Sequence, residues 1–330
     1  MKKIALLLTF IMVFLLCSCK QGEKKFSSTQ VMMTTVVTIT VYTEDESILN
    51  SAMELCRYYE GLFSRTVENS DIYNINHSGG LAVEVDKQTV ELLNIAKDIS
   101  IKSEGAFDVT ITPLTELWNI SERTVPPKEA EVAEALKKVN YENILTDVNS
   151  VTATSGATVD LGGIAKGYIA DKIKEYIVSK GVTRGTINLG GNVVLIGDNG
   201  GKPYNVGIKE PFESADSVKL TVELSDKTAV TSGIYERYFR HEGSLYHHII
   251  DTKTGHPVDN NVASVTVIAD SSAIADGLST ACLVLGTEKG TALASSYGAE
   301  TVFILKDGSV VVSDGLKIHN QNEMPCINMK

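Results

Sequence analysis

The sequence lacks both a block of basic residues and a hydrophobic run long enough to cross a membrane. Its 330 residues carry a formal net charge of −11, with 30 Lys and Arg against 41 Asp and Glu. A nucleic-acid partner normally requires a clustered positive surface, so this composition argues against nucleic acid. The apolar run Ile4–Leu16 is shorter than the roughly 20 residues that a membrane-spanning helix needs.

Cysteine is also scarce, and its spacing excludes the common metal-binding patterns. Cys17 and Cys19 lie near the N-terminus, while Cys56, Cys282 and Cys326 are scattered. Their number is odd, and no pair has the spacing of a zinc site. We expect Cys56 and Cys282 to be buried free thiols, with a disulfide as the alternative in an exported protein.

The N-terminus has the pattern of an export signal. Two lysines precede the apolar run, and small residues lead into Cys19. This resembles a bacterial lipobox, so we expect residues 1–19 to form a lipoprotein signal with Cys19 as the lipidated first residue. An ordinary secretory cleavage site nearby is the alternative. The polar residues 20–30 would then be a tether, and the protein would be held outside the cytoplasm at a bacterial membrane.

Helical and strand patterns mix along the rest of the chain without a strict β-α-β rhythm, which predicts an α+β fold for residues 31–330. The predicted helices cover residues 45–63, 86–103, 126–139, 164–181, 271–285 and 288–297. The predicted strands cover residues 31–42, 83–85, 186–189, 193–196, 204–208, 218–224, 262–268, 301–305 and 310–312. The polar segment 146–157, in which we predict no strand, is the best candidate for a boundary between two lobes.

Residues 159–173, VDLGGIAKGYIADKI, join an apolar strand to a helix through two glycines. Turns of this kind direct backbone N–H groups and the helix dipole at a phosphate. The spacing fits neither the P-loop nor the dinucleotide-binding fingerprint. The turn therefore indicates a phosphate site that the usual nucleotide folds do not explain.

A later helix carries two side chains that could bind a divalent cation. Asp276 and Thr280 are four residues apart and share one helix face. A carboxylate and a hydroxyl suit Mg²⁺, which prefers oxygen ligands and retains waters or phosphate oxygens. In the alternative interpretation, Thr280 bonds back to a helix carbonyl and Asp276 lies in solvent.

Residues 247–259, HHIIDTKTGHPVD, offer a general base. An unperturbed histidine such as His248 titrates close to neutral pH. Alternation along a strand would place His247 and Asp251 on one face and His248 on the other. The alternative is a strand with histidines at its exposed edge.

A series of motifs occurs in a fixed order between about residue 30 and residue 305. In chain order they read FS at 63–64, SDIYNIN, GAFDVTITPLTELW, VDLGGIAKGYIAD, NLGGNV, TSGIYERYF, HHIIDTKTGHPV and ADGLSTACLVLG. This succession resembles the ApbE family, the FAD:protein FMN transferases. The resemblance implies an α+β, T-fold-like architecture of two lobes with FAD between them. It also implies an enzyme that uses Mg²⁺ to cleave FAD, joins FMN through a phosphoester to a threonine or serine of another protein, and releases AMP.

The same resemblance assigns roles to individual residues. FAD would contact Met33, Ala106, Phe107, Asp108, Asp160, Lys166 and His248. The carbonyl of Gly163 and the side chains of Asp276 and Thr280 would bind Mg²⁺. His248, as the base, and Asp276 would be the catalytic residues. The acceptor protein would carry a Ser/Thr-Gly-Ala-Thr-like motif and would be a subunit of a membrane redox pump.

The chain departs from the family pattern in three places. The Met-Gly-Thr motif reads Met33-Thr34-Thr35, the Asp-Pro of the histidine motif reads Asp251-Thr252, and Arg65-Thr66 stands where many members have a tyrosine. That tyrosine is tied to flavin stacking, so FAD affinity or the balance between transfer and hydrolysis could differ.

Two alternative functions therefore stay open beside flavin transfer. One is a Mg²⁺-dependent FAD pyrophosphatase that yields FMN and AMP, and the other is a non-catalytic flavin-binding lipoprotein. A further hypothesis is self-modification, because residues 155–158, SGAT, resemble the acceptor motif and would present Thr158. The alternative for this segment is a plain turn and strand that lead into Asp160.

Overall fold

Helices and strands follow one another irregularly along the chain, which confirms the predicted α+β fold. The computed structural model describes residues 23–214, 217–320 and 326–329. The helices are α1 (Ser47–Phe63), α2 (Asp71–His77), α3 (Lys87–Lys102), α4 (Thr112–Trp118), α5 (Glu129–Leu136), α6 (Ala165–Ser179) and α7 (Ser272–Ser296). The strands are β1 (Lys24–Met32), β2 (Thr35–Thr43), β3 (Val83–Glu84), β4 (Ile144–Thr146), β5 (Ser150–Ala153), β6 (Gly185–Leu189), β7 (Asn192–Ile196), β8 (Tyr204–Lys209), β9 (Val218–Leu224), β10 (Thr228–Gly233), β11 (Tyr238–His241), β12 (Ser244–His247), β13 (Val262–Ala269), β14 (Glu300–Leu305), β15 (Val310–Ser313), β16 (Ile318–Asn320) and β17 (Cys326–Met329).

Within the described residues, the largest sheet has nine strands in the order β1-β2-β6-β7-β10-β13-β14-β15-β17. Neighbouring strands in it are antiparallel, except that β15 and β17 are parallel. β13 is buried along its whole length, as expected of a strand covered on both faces. Helices α6 and α7 lie on one face, and the smaller sheet β16-β9-β8 covers the other.

The helical predictions are confirmed with small changes of boundary. Asp86 caps α3 by accepting a hydrogen bond from Gln88 N at 2.9 Å, as the sequence predicts. The two predicted helices over 271–297 form α7, which is kinked at Gly286, where φ is 78°. The helix predicted over residues 126–139 is shorter and covers only α5. None of the described helices combines the length and the apolar character that a bilayer span demands.

Three predictions about the strands are wrong. The strand predicted over residues 31–42 is a hairpin, because Met33 and Thr34 adopt φ values of 50° and 57° and form a two-residue turn. Residues 24–30, predicted to lie in the tether, belong to β1, where pairing with β2 satisfies their backbone. Segment 146–157 is not strandless, since it contains β5, which pairs with β3 and β4.

The lobe boundary suggested in segment 146–157 stays a prediction, as does an FAD site between lobes. The predicted signal peptide, with Cys19, lies outside the described residues. The prediction for two of the other cysteines is confirmed: Cys56 and Cys282 are buried free thiols. Burial raises the pKa of both thiols to about 12, so neither is a reactive thiolate at neutral pH.

Candidate functional site

The glycine turn that precedes α6 is held in place by side-chain bonds at both ends. Asn76, from the SDIYNIN motif, donates its amide to Val159 O at 2.9 Å and accepts from Val159 N at 2.6 Å. Asp160 Oδ1 then accepts from Gly162 N at 2.8 Å. These bonds fix the path of the chain into α6 and leave Asp160 Oδ2 free to face Arg65, whose Nε lies 3.2 Å away.

Asp276 lies between α6 and α7 rather than in solvent. Its side chain is almost fully buried, and its Oδ2 accepts from Gly167 N at 2.9 Å. Its Oδ1 is 3.7 Å from Lys166 Nζ, which also donates to Gly162 O at 3.2 Å. The solvent-exposed alternative is therefore wrong for Asp276, and one of its carboxylate oxygens remains available to a cation.

Gly163 and Thr280 meet at this same junction. A Cβ added to Gly163 would lie 3.5 Å from Thr280 Oγ1 and 3.1 Å from Phe107 Cε2. The structure thus brings together three of the residues that the sequence connects with phosphate and metal binding. We call Gly163, Lys166, Asp276 and Thr280 the helix side of the site; Gly163 lies in the turn that leads into α6, Lys166 on α6, and Asp276 and Thr280 on α7.

The chemistry of this donor set fits Mg²⁺. It consists of one carboxylate, one hydroxyl and one backbone carbonyl, all of them hard oxygen ligands. Nowhere in the described parts of the chain do three His, Cys, Asp or Glu side chains gather as a metal-binding group. A site with so few protein ligands leaves room for waters and phosphate oxygens, which is the usual manner of Mg²⁺ binding in phosphoryl-transfer sites.

A cavity of about 260 Å³ is lined by both Asp160 of the glycine turn and His248. Arg65, Asn119 and Arg237 also line it, so two arginines border the same space. Guanidinium groups match the geometry of phosphate oxygens. We call Arg65, Asn119, Arg237 and His248, which stand on loops and beside the β11-β12 hairpin, the loop side of the site.

The two adjacent histidines point in opposite directions, as the strand alternation predicts. His247 is buried, and its Nε2 lies 3.0 Å from Val258 O. His248 is half-buried and lines the cavity, with Nδ1 3.3 Å from Arg237 O. A carbonyl can only accept, so Nδ1 of His248 carries the proton and Nε2 keeps its lone pair. The exposed-edge alternative is therefore wrong for His247.

Both histidines are neutral near pH 7. Burial lowers the pKa of His247 to about 4. Burial, followed by the charge of Arg237, lowers the pKa of His248 to about 3. A neutral imidazole with a free Nε2 can accept a proton, and an anionic ligand in the cavity would raise the pKa of His248.

The sequence profile of the ApbE family matches residues 33–303 of this chain. The chain belongs to the ApbE family. It is 33% identical to an FAD:protein FMN transferase of Klebsiella pneumoniae, across 88% of this chain and 92% of that protein. It is also 33% identical to an FAD:protein FMN transferase of Treponema pallidum, across 91% and 90% of the two chains. These relatives are transferase enzymes by name.

Solved structures of the ApbE family have the same fold. The ApbE protein of Thermotoga maritima superposes with a TM-score of 0.81 at 34% identity, over 87% of this chain and 96% of that one. The flavin transferase ApbE of Vibrio cholerae superposes with a TM-score of 0.78 at 29% identity, over 90% and 97% of the two chains. The likeness extends over nearly the full length of both structures.

Other residues with predicted FAD contacts lie around this candidate site. Ala106 is buried, and Phe107 is packed beside Gly163. Both oxygens of Asp108 are occupied, since Oδ1 accepts from Thr110 N and Oγ1, each at 2.7 Å, and Oδ2 accepts from Tyr141 N at 2.9 Å. Asp108 therefore shapes the loop in this structure, and its contact with flavin stays a prediction.

Met33 lies in the turn of the first hairpin. Its backbone N donates to Glu60 Oε1 at 2.7 Å, and its side chain packs on the main hydrophobic core. No described contact joins Met33 to the helix side or the loop side, so its predicted contact with FAD also stays a prediction.

Sequence reasoning missed several residues that build the site. Arg237 lies within the TSGIYERYF motif, and Asn119 adopts a left-handed φ of 35° at the end of α4. Gly167 is a helical glycine whose added Cβ would lie 2.1 Å from Ser272 O. A glycine inside a predicted helix is a signal of close packing, but the sequence does not say against which element.

Proposed function

We propose that this chain is a Mg²⁺-dependent FAD:protein FMN transferase that joins FMN to a Ser or Thr hydroxyl of an acceptor protein and releases AMP. The observation that carries the proposal is the meeting of Gly163, Asp276 and Thr280 beside a cavity that is lined by two arginines and a neutral histidine. Membership of the ApbE family and the names of its relatives support the same function.

Different groups would bind the metal ion and position the diphosphate for nucleophilic substitution at the FMN phosphorus. Gly163, Asp276 and Thr280 would hold Mg²⁺, which neutralises charge on the pyrophosphate when it is bound. Lys166, whose Nζ lies 3.7 Å from Asp276 Oδ1, and Arg237, which lines the cavity, would attract phosphate oxygens. These contacts would position the diphosphate for in-line attack.

The proton balance of the reaction requires one base. The acceptor hydroxyl oxygen forms a bond to the FMN phosphorus, the bond from that phosphorus to the AMP oxygen breaks, and AMP leaves. The hydroxyl proton passes to Nε2 of His248, the free ring nitrogen in the cavity. The negative diphosphate would raise the pKa of His248 above about 3 and so strengthen it as a base.

The acceptor and the cellular location belong to the same proposal. The acceptor would present a Ser/Thr-Gly-Ala-Thr-like segment on a membrane redox-pump subunit, and the chain would reach it from a lipid anchor at Cys19. Cys19→Ser should release the protein from the membrane fraction and abolish incorporation of labelled fatty acid. Continued labelling of the Cys19→Ser chain would contradict the anchor.

One experiment separates transfer from its alternatives. The full chain in detergent is incubated with FAD, Mg²⁺ and a peptide bearing the acceptor motif, and both peptide mass and free AMP are measured. Transfer predicts one AMP released for each FMN gained by the peptide, and no gain by a control peptide with Val in place of the acceptor Thr. AMP with free FMN instead indicates a pyrophosphatase, and bound FAD without AMP indicates a storage protein.

Self-modification at Thr158 stays a hypothesis that the same samples test. Ser155 and Gly156 form a left-handed turn with φ values of 55° and 70°, Ala157 is buried, and Thr158 O accepts from Thr112 Oγ1 at 3.3 Å. These constraints favour the interpretation as a turn that leads into Asp160. An FMN adduct on the intact chain that disappears in Thr158→Val would overturn that interpretation.

A further inference from the structure

Helices α6 and α7 are joined by two polar contacts that lie one helical turn apart. In the first, Gly167 N donates to Asp276 Oδ2 at 2.9 Å. In the second, Asp171 Oδ1 accepts from Ser272 N at 2.8 Å. Gly167 and Asp171 are four residues apart on α6, as are Ser272 and Asp276 on α7, so the contacts follow one edge of each helix.

The Asp171 carboxylate accepts hydrogen bonds from the first residues of α7. Its Oδ2 accepts from Ser271 Oγ at 2.8 Å and from Ala273 N at 3.0 Å, in addition to the bond from Ser272 N to Oδ1. The first N–H groups of a helix have no partner within the helix, and the positive end of its dipole favours an anion. A carboxylate from a different helix therefore caps the start of α7, beside the helix's own cap bond from Ile274 N to Ser271 Oγ at 3.3 Å.

Asp171 makes none of the proposed contacts with metal or FAD, but helices α6 and α7 connect it to the residues that do. Asp276 and Thr280 follow Ser272 by one and two turns of α7, and Gly163 precedes Gly167 by about one turn at the entry to α6. A shift of α7 along α6 would thus move the Asp276 and Thr280 oxygens relative to the Gly163 carbonyl. The steric contact between Gly167 and Ser272 O limits sideways movement. The start of α7 is held by the Asp171 bonds to its backbone and by Ser272 Oγ, which donates to Asn192 Oδ1 at 2.6 Å and accepts from Thr228 Oγ1 at 3.2 Å.

We infer that Asp171 is a positioning residue, which holds the N-terminus of α7 so that Asp276 and Thr280 stand at binding distance from the carbonyl of Gly163. The inference rests on the proposed function for its metal, and it adds a residue that touches neither metal nor FAD. Partners that orient metal ligands typically change metal affinity or activity by about 10- to 100-fold when they are replaced.

Asp171→Asn tests this role because asparagine keeps the shape but presents an N–H₂ group to the N–H donors of α7. The readouts are Mn²⁺ binding in the presence of FAD, followed by the EPR signal of the free ion, and hydrogen–deuterium exchange over residues 276–280. We expect the dissociation constant for Mn²⁺ to rise about tenfold or more and exchange over 276–280 to accelerate. Asp171→Glu, which keeps the charge, should recover part of the affinity.

Asp86→Asn is the matched control, since Asp86 also caps a helix and accepts from Gln88 N at 2.9 Å. Asp86 caps α3, roughly 20 Å along the helix from Ile99, whose side chain would lie 2.6 Å from a Cβ added to Gly277 of α7. This control should lower the unfolding temperature without changing Mn²⁺ affinity or exchange over 276–280. Ser271→Ala removes one of the three bonds to Asp171, together with the cap bond from Ile274 N to Ser271 Oγ, and is the second variant to measure if Asp171→Asn does not fold.

Two outcomes separate this inference from the proposed function. If Asp171→Asn lowers thermal stability but binds Mn²⁺ within twofold of the parent chain and exchanges normally over 276–280, Asp171 is structural and the inference is overturned. If the parent chain itself binds no Mn²⁺, the metal assignment in the proposed function fails. In that case, faster hydrogen–deuterium exchange over residues 276–280 in Asp171→Asn would still support the role of Asp171 in holding this part of α7, and unchanged exchange would overturn it.

Discussion

The helix side and the loop side of the site are built in different ways. On the helix side, Asp276 is bonded to a backbone N–H of another helix, and Gly167 lets the two helices approach to contact. On the loop side, Arg65 is held by ion pairs to Asp160 and to the exposed Glu116. Ion binding requires oxygens at fixed distances, whereas a bulky dinucleotide must enter and leave. Close helix packing therefore suits the side that is proposed to bind Mg²⁺, and loops held by ion pairs suit the side that is proposed to bind FAD.

Asp276→Ala tests the helix side most directly and should have the largest effect. It removes a metal ligand and leaves Gly167 N without its acceptor, so Mg²⁺-dependent release of AMP should fall by roughly 100-fold or more. AMP release is measured by chromatography, with circular dichroism to confirm folding. Asp270→Asn, at an exposed acid just before α7, is the control and should keep parental activity. Full activity in Asp276→Ala would remove the metal assignment.

Gly167→Ala tests whether close helix packing is what distinguishes the helix side. The new Cβ would lie 2.1 Å from Ser272 O, so α6 and α7 must separate, and we expect a loss of about 2–3 kcal/mol in the free energy of unfolding. Urea titration measures this loss. Gly61→Ala in α1 is the control, because nothing lies within 4 Å of its Cβ, and it should stabilise by roughly 0.5–1 kcal/mol. Equal effects at the two glycines would contradict the packing argument.

The histidine pair beside the loop side predicts a pH dependence of stability. The folded chain holds His247 neutral with a pKa of about 4, below the ordinary 6.5, so the unfolded chain binds a proton that the folded chain does not between these values. Stability should therefore fall as the pH drops from about 6.5 towards 4, by up to roughly 1.4 kcal/mol per pH unit for this one group.

His247→Gln isolates that contribution, because the amide can replace Nε2 in the bond to Val258 O while carrying no titrating group. Urea titrations at pH 7, 6 and 5 should give a flatter pH dependence than in the parent chain. A slope equal to that of the parent in His247→Gln would show that the buried histidine does not control acid stability.

The smallest effect is expected in the turn that carries Met33, where the chain departs from the family pattern. Thr34 adopts a φ of 57°, which favours glycine, so Thr34→Gly should stabilise the hairpin by about 0.5–1 kcal/mol. The melting temperature checks this change. Thr29→Gly, within β1, is the contrast and should destabilise, since glycine weakens strand interiors. If Thr34→Gly instead lowers the melting temperature, the contacts of the Thr34 side chain stabilise the fold by more than the strain of its left-handed backbone destabilises it.

Local patterns predicted much of the molecule because local physics determines those features. The apolar stripe of α1, the Asp86 cap of α3 and the break in α7 before residue 288 depend on residues within a few turns of one another. The first hairpin was missed because Val31–Tyr42 contains no glycine at its turn, and Thr34 accepts a left-handed conformation that its residue type disfavours.

The sequence by itself determined the family, the order of the motifs and the residue types that could bind phosphate and metal. Only the tertiary structure decided which of those groups meet. Asp276 accepts from a backbone N–H that is 109 residues away, and Arg65 reaches Asp160 across a similar span. Such pairs depend on how whole helices and loops pack, because contact distances of a few ångströms follow from the three-dimensional arrangement and not from any local sequence pattern.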